Sequence, residues 1–176
     1  MAQDAQDTVM YYVDTCEKLG VGVLMEVVEW LAGGGNKGGG GGGQAGTESS
    51  DPALRLTATT DGEVESVCAT LAKVNNSLAA LATGGDSQRK ILLSRLEFFD
   101  GKFSVRGVSA LASAIENDTC IQALRLSNCS VGDNGALALA DSLIRNPRCA
   151  LIELDLCNIG MDMRGLEALT TAGERE

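Results

Sequence analysis

The hydrophobic pattern is most regular in the second half of the chain. Leu93-Ser-Arg-Leu96-Glu-Phe98, Ile121-Gln-Ala-Leu124-Arg-Leu126 and Leu151-Ile-Glu-Leu154-Asp-Leu156 share one L-x-x-L-x-L pattern. Five residues after the last apolar position stand Phe103, Val131 and Met161, and nine after it stand Gly107, Gly135 and Gly165. Val108/Leu111/Ile115, Ala136/Leu139/Leu143 and Leu166/Leu169 then follow at helical spacing. Fifteen residues separate Leu96 from Leu111, Leu124 from Leu139 and Leu154 from Leu169. Alternation in the first stretch predicts a short strand, and the stripe after it predicts a helix. A shorter unit precedes these, with Leu54-Arg-Leu56 as its strand and Val64, Val67 and Leu71 as its helical stripe. The prediction is one parallel sheet with strands near 54–57, 95–98, 123–126 and 153–156, each after the first preceded by a helix.

One irregularity interrupts the series. Ser77-Leu78-Ala-Ala-Leu81 also satisfies the strand pattern, so Leu81 and Leu96 compete for one position. The polar, Gly-rich residues 82–92 between them read as a loop inserted into the second unit. Upstream, Val9, Val13, Cys16 and Leu19 form a helical stripe that Val23, Leu24, Val27, Val28 and Leu31 continue after Gly20-Val-Gly22. Two short helices within 1–32 are expected, divided at the glycines. Residues 33–51 open with a run dominated by glycine and read as a flexible linker. Lys37 is followed by Gly38 rather than Ser or Thr, so the run lacks the magnesium ligand of a phosphate-binding loop. Residues 52–176 then carry about four repeated units.

Period and motif together make residues 52–172 resemble the ribonuclease-inhibitor-like class of leucine-rich repeats, whose units of roughly 28 residues pair a strand with a full helix. The resemblance implies an α/β leucine-rich-repeat solenoid: a right-handed βα superhelix with parallel strands on the concave face and helices on the convex face. Tyr11-Tyr-Val-Asp-Thr-Cys-Glu-Lys-Leu-Gly20 looks like the helical leader that opens some intracellular members. The chain departs from the family where Asn or Cys usually satisfies the loop backbone. Gly101, Cys129 and Ile159 stand there, and only Cys129 fits. A looser loop ladder is expected.

In L-x-L the leucines point into the core and the residue between them points to the concave face. One concave row is therefore Arg55, Glu97, Arg125 and Asp155, alternating in sign. It reads as a cross-strand charge ladder, worth roughly 0.2–1 kcal/mol per pair, or as a partner-recognition row. The next row is Thr57, Phe99, Ser127 and Cys157, in which Phe99 is a large aromatic at a solvent-facing position. Trp30 is expected to dock the leader onto the first unit. Asp61, Asp133 and Asp162 precede helices, as N-terminal caps do. Leu166 and Leu169 lie on the final helix, beyond which Thr170–Glu176 offer no capping unit. The solenoid edge there is expected to be completed by another chain.

Composition narrows the chemistry. The 176 residues include no His, which removes Ser-His-Asp and Cys-His catalysis and every His-containing metal site. Six cysteines contain no C-x-x-C pair. The net charge of −10 argues against nucleic-acid binding, which needs clustered Lys and Arg. No apolar run approaches a membrane span, and the acidic Met1–Asp7 segment is unlike a secretory or mitochondrial leader. Reduced thiols, no cofactor, no metal and a cytoplasmic location are the expectations. The expected function is a non-catalytic protein–protein interaction module, a scaffold or structural subunit of a larger intracellular assembly. The resemblance adds a cytoskeletal or ciliary (flagellar) niche, and as the alternative a soluble regulator of the ribonuclease-inhibitor or GTPase-activating type.

Overall fold

The computed structural model describes residues 2–32, 53–81 and 93–174. The linker 33–51 and the inserted loop 82–92 expected from the sequence lie outside these. In chain order the elements are α1 (Ala2–Leu19), α2 (Met25–Leu31), β1 (Ala53–Thr57), α3 (Asp61–Leu81), β2 (Arg95–Phe99), α4 (Val105–Glu116), β3 (Ala123–Ser127), α5 (Gly132–Arg145), β4 (Glu153–Cys157) and α6 (Met163–Gly173). The chain is mixed α/β, with one four-stranded parallel sheet in the order β1-β2-β3-β4. The strands fall within one residue of the positions predicted by the leucine spacing.

The register follows from burial. Leu54, Leu96, Leu124 and Leu154 are partners across the sheet, and so are Leu56, Phe98, Leu126 and Leu156. A slip by one residue would turn each apolar row out of the core. Both rows join one cluster with the helical stripes Val64/Val67/Leu71, Val108/Leu111/Ile115 and Ala136/Leu139. α3 packs on α4, α4 on α5 and α5 on α6, in the same sequence as the strands. Phe103 fills the turn after β2, edge-on to Phe98 with ring centroids 5.6 Å apart.

The glycines that recur from unit to unit mark close approach. A Cβ on Gly165 would stand 2.8 Å from Asp133 Oδ1 and 2.9 Å from Ala136 Cβ. One on Gly107 would stand 2.8 Å from Asp61 Oδ1 and 2.7 Å from Phe103 Cβ. No side chain can be added at either place without displacing its neighbours.

Two expectations are corrected here. Residues 77–81 belong to α3, not to a strand start. Alanine and leucine favour helix, and the stripe from Val64 onward carries the helix through them. Residues 2–32 form two helices as expected, with Gly20 at φ +67 ending the first, but α1 begins at Ala2 rather than at the expected residue 7. α1 packs on α3, and α2 packs on β1. Tyr12 Oη accepts a hydrogen bond from Leu24 N at 3.1 Å, fixing the angle between them. Trp30 is buried in the core, as a docking residue should be, and its Nε1 has no hydrogen-bond partner among the described residues.

Candidate interaction surfaces

The sheet face turned from the helices carries the charges. Arg55, Glu97, Arg125 and Asp155 are register partners across all four strands, so strand alternation and parallel pairing set the row that the sequence predicts. It resolves into two ion pairs. Arg55 Nε lies 2.7 Å from Glu97 Oε2, and Arg125 Nε donates to Asp155 Oδ2 at 2.7 Å. A second tie spans three strands: Arg95 Nη2 donates to Glu153 Oε2 at 3.2 Å, passing the small Ala123 between them.

Glu97 corrects the expectation of an open row. Its side chain is only 1% exposed, between Arg55 and Arg95. Its Oε2 makes no well-directed hydrogen bond despite the close Arg55 nitrogen, which approaches off the N–H direction. Oε2 is thus held by charge and enclosure rather than by a donor aimed at it. Phe99 is half-buried beside Thr57 and Ser127, not fully solvent-facing. Arg55 is exposed, while Arg125 and Asp155 are intermediate. Opposite charges satisfy one another along this face, which leaves it without a single-sign field to select a partner.

The β4–α6 end is different in kind. Among the described residues no strand pairs with the outer edge of β4. Leu154 and Leu156, whose partners in the other strands are buried, are only half-buried here. Ile152 is 85% exposed, Met163 66% and Leu166 47%. Leu169 departs from the expectation: at 9% exposed it belongs to the core, with Gly165 and Ala172 on the side of α6 that meets α5. Leu166 and Leu169 lie only about 60° apart around the helix, so both belong to one stripe, and the packing of α5 against Gly165, Leu169 and Ala172 decides which is enclosed.

Of the three aspartates expected as helix caps, one serves its own helix. Asp162 caps its own helix, accepting from Arg164 N at 2.9 Å. Asp61 and Asp133 instead cap the next helix in the row. Asp61 accepts from Ser104 N (2.7 Å), Ser104 Oγ (2.9 Å) and Gly107 N (2.8 Å). Asp133 Oδ1 accepts from Asp162 N (2.9 Å) and Gly165 N (3.2 Å). Burial pushes the Asp61 carboxyl up, but the hydrogen bonds from Ser104 and Gly107 and the Arg106 charge outweigh it, so it stays below its ordinary value. The Asp133 carboxyl is lowered chiefly by the Asp162 N–H.

A side-chain ladder also went unread. Ala58, Asp100, Asn128 and Asn158, each following its strand, all have φ between +51 and +54. Asn158 Nδ2 donates to Asn128 Oδ1 at 2.9 Å, and Asn128 Nδ2 to Asp100 Oδ1 at 3.0 Å. The signal was the recurrence of Asp or Asn four residues after the central Leu, because these side chains tolerate left-handed backbone. Cys129 occupies its expected loop place, with Sγ 3.7 Å from Phe98 O.

A groove of about 180 Å³ lies between α4 and α5, below the usual range of roughly 300–1,000 Å³ for small-ligand sites. No group of three or more Cys, Asp or Glu side chains among the described residues could hold a metal ion. All six cysteines are free thiols, and burial pushes Cys68 up to about 12 and raises Cys129, so neither is a ready nucleophile. No described helix is long and apolar enough to cross a membrane. The chain matches none of the known protein-family models, and no curated protein matches it.

Proposed function

We propose that the chain is a non-catalytic protein–protein interaction module, a short leucine-rich-repeat solenoid of the ribonuclease-inhibitor-like class that serves as a structural subunit of a larger intracellular assembly. The observation that carries this reading is the β4–α6 end, where among the described residues no strand pairs with the outer edge of β4 and Ile152, Met163 and Leu166 are exposed. The counterparts of Leu166 in α4 and α5, Val108 and Ala136, are fully buried. An apolar side chain gains about 1.5–3 kcal/mol on burial, so this end stands to gain from contact with another chain. The charged sheet face is secondary, because Arg55–Glu97, Arg125–Asp155 and Arg95–Glu153 are already paired. That internal balance also weighs against the regulator alternative, which relies on complementary charge.

The test is affinity capture of the tagged full chain beside a variant carrying Ile152→Glu and Met163→Glu. Both side chains are exposed, so the fold tolerates the change. Loss of the co-purifying chains from the variant is the expected result. An unchanged set of partners would refute the assignment of the docking surface.

A further inference from the structure

We infer that Cys120 and Cys149 are an oxidisable pair whose disulfide clips the third unit to the fourth. The two cysteines stand in comparable turns, each between a helix and the next strand: α4 and β3 for Cys120, α5 and β4 for Cys149. Asp118 shapes the first turn, its Oδ2 accepting from Cys120 N at 2.9 Å and from Ile121 N at 2.8 Å. Asn146 shapes the second, its Oδ1 accepting from Arg148 N at 3.0 Å and its backbone O from Cys149 N at 3.3 Å. The turns are pinned to each other on both sides of the cysteines. Asn146 Nδ2 donates to Asp118 O at 2.6 Å, and Ile152 N donates to Gln122 O at 2.8 Å. Cys120 is midway between Asp118 and Gln122, and Cys149 is midway between Asn146 and Ile152. At the strand pin the backbones are one strand spacing apart, about 4.8 Å, and a disulfide joins Cα atoms about 4.4–6.8 Å apart.

Leu154 follows Leu124 by thirty residues where Leu124 follows Leu96 by twenty-eight, and the two extra residues fall between Leu139 and Leu154. The turn holding Cys149 therefore has chain to spare for the closure. Both thiols are only half-buried, while Cys16, Cys68 and Cys129 are buried. Cys157 is at the far end of β4, roughly 13 Å along the strand. The oxidant is a small disulfide. One cysteine thiolate attacks a sulfur of glutathione disulfide, forming a mixed disulfide and releasing one glutathione thiolate. The other cysteine attacks the protein-bound sulfur, which closes the 120–149 bond and releases the second glutathione. Two protein thiols are oxidised, one glutathione disulfide is reduced, and the two protons pass to the released glutathione. Burial raises the Cys120 thiol, so closure speeds up as pH rises. The bond holds β4 and α6, the unit in which Leu154 and Leu156 are half-buried, against the rest of the sheet.

The experiment is incubation of the purified full chain with glutathione disulfide near pH 8, then alkylation of the remaining thiols and peptide mass spectrometry. An intrachain 120–149 link with the other four cysteines alkylated is the expected result. Tm should rise by roughly 5 °C or more, because the link closes a loop of about thirty residues in the unfolded chain. Dithiothreitol should reverse the rise. Cys120→Ser and Cys149→Ser should each abolish it, leaving a glutathione adduct on the remaining partner. Six free thiols after incubation overturn the inference, and so do glutathione adducts on the parent chain without the 120–149 bond. A link to Cys157 or between chains overturns the pairing. A 120–149 bond that forms only in urea, or that leaves Tm unchanged, shows that the fold does not bring the pair together as a clip, and overturns it as well.

Discussion

Asp61 is the residue whose removal the structure prices most directly. It starts α3, yet its carboxylate reaches across to α4 and accepts from Ser104 N, Ser104 Oγ and Gly107 N at 2.7–2.9 Å. Asp61→Ala deletes all three and leaves Ser104 N and Gly107 N without that acceptor, while Ser104 Oγ still caps Arg106 N. A lost cap costs about 0.5–2 kcal/mol, and each net hydrogen bond contributes about 1 kcal/mol. Because water can reach the vacated N–H groups, the expected loss is about 2 kcal/mol at pH 7, or about 4–8 °C in Tm. Asp61→Asn keeps one oxygen acceptor and loses only the charge, so about half that loss is expected. The sign of the pH dependence follows from the lowered carboxyl. The unfolded chain, with an ordinary Asp near 3.9, binds the proton more readily than the folded one. Asp61 therefore stabilises the fold above that value, and its contribution fades as pH falls through it toward the lowered folded value. Urea unfolding of the parent and both variants at pH 7 and near pH 2.5 measures this. A loss under about 0.5 kcal/mol for Asp61→Ala at pH 7 would refute the reasoning. So would a gap between parent and variant that is undiminished in acid.

Four further outcomes follow from the same contacts. Leu169→Ala should cost about 2–3 kcal/mol and Leu166→Ala less than about 1, because only the first is buried; equal losses by urea unfolding would contradict the placement of α6. Removing Arg55 should destabilise more than Glu97→Gln, since it strips a partner from an enclosed carboxylate whereas the arginine is free to turn to water; the reverse order in thermal melts would be evidence against that picture. Asn128→Ala breaks two ladder bonds and places alanine at φ +54, for a combined loss of about 2 kcal/mol, while Asn158→Ala, with one bond, should lose less. In thiol-labelling kinetics Cys157 should react fastest, and Cys16, Cys68 and Cys129 only as the chain opens; early labelling of Cys68 would be inconsistent with its burial.

Element positions were legible because they rest on spacing. The fifteen residues from Leu96 to Leu111, repeated at Leu124–Leu139 and Leu154–Leu169, place a strand residue and a helix residue in one core, and only a parallel strand–helix unit meets that constraint. The register was legible for the same reason, which is why Arg55, Glu97, Arg125 and Asp155 emerge in a row. What spacing does not encode is how far a side chain is enclosed. Glu97 sits on the face that alternation assigns to solvent, yet arginines from its own and the neighbouring strand close over it. Leu166 and Leu169 satisfy the same apolar stripe, and only the placement of α5 separates the buried one from the exposed one. Residues 77–81 misled because Leu-Ala-Ala-Leu fits a strand start and a helix end equally well, and the length of α3 decided between them.

The caps were misassigned for a more general reason. An aspartate at a helix start is ordinarily read as serving that helix, but units stacked side by side bring the next helix start within reach of the same carboxylate. Asp61 ties the first unit to the second in this way, and Asp133 ties the third to the fourth. The joint between the second and third units has Val105 in that place. It is closed instead at the far end of the helices, where buried Asn146 Nδ2 donates to Ile115 O at 2.8 Å and to Asp118 O at 2.6 Å. Polar ties thus alternate between the two ends of the helical layer, and an apolar residue stands at the helix start wherever the tie is at the other end. In α6 that position is Met163, exposed beside Leu166. The fourth unit therefore presents no carboxylate to cap a following helix. Val105 is itself exposed at a joint that α5 closes, so an apolar residue at the helix start goes with a joint tied at the other end of the layer.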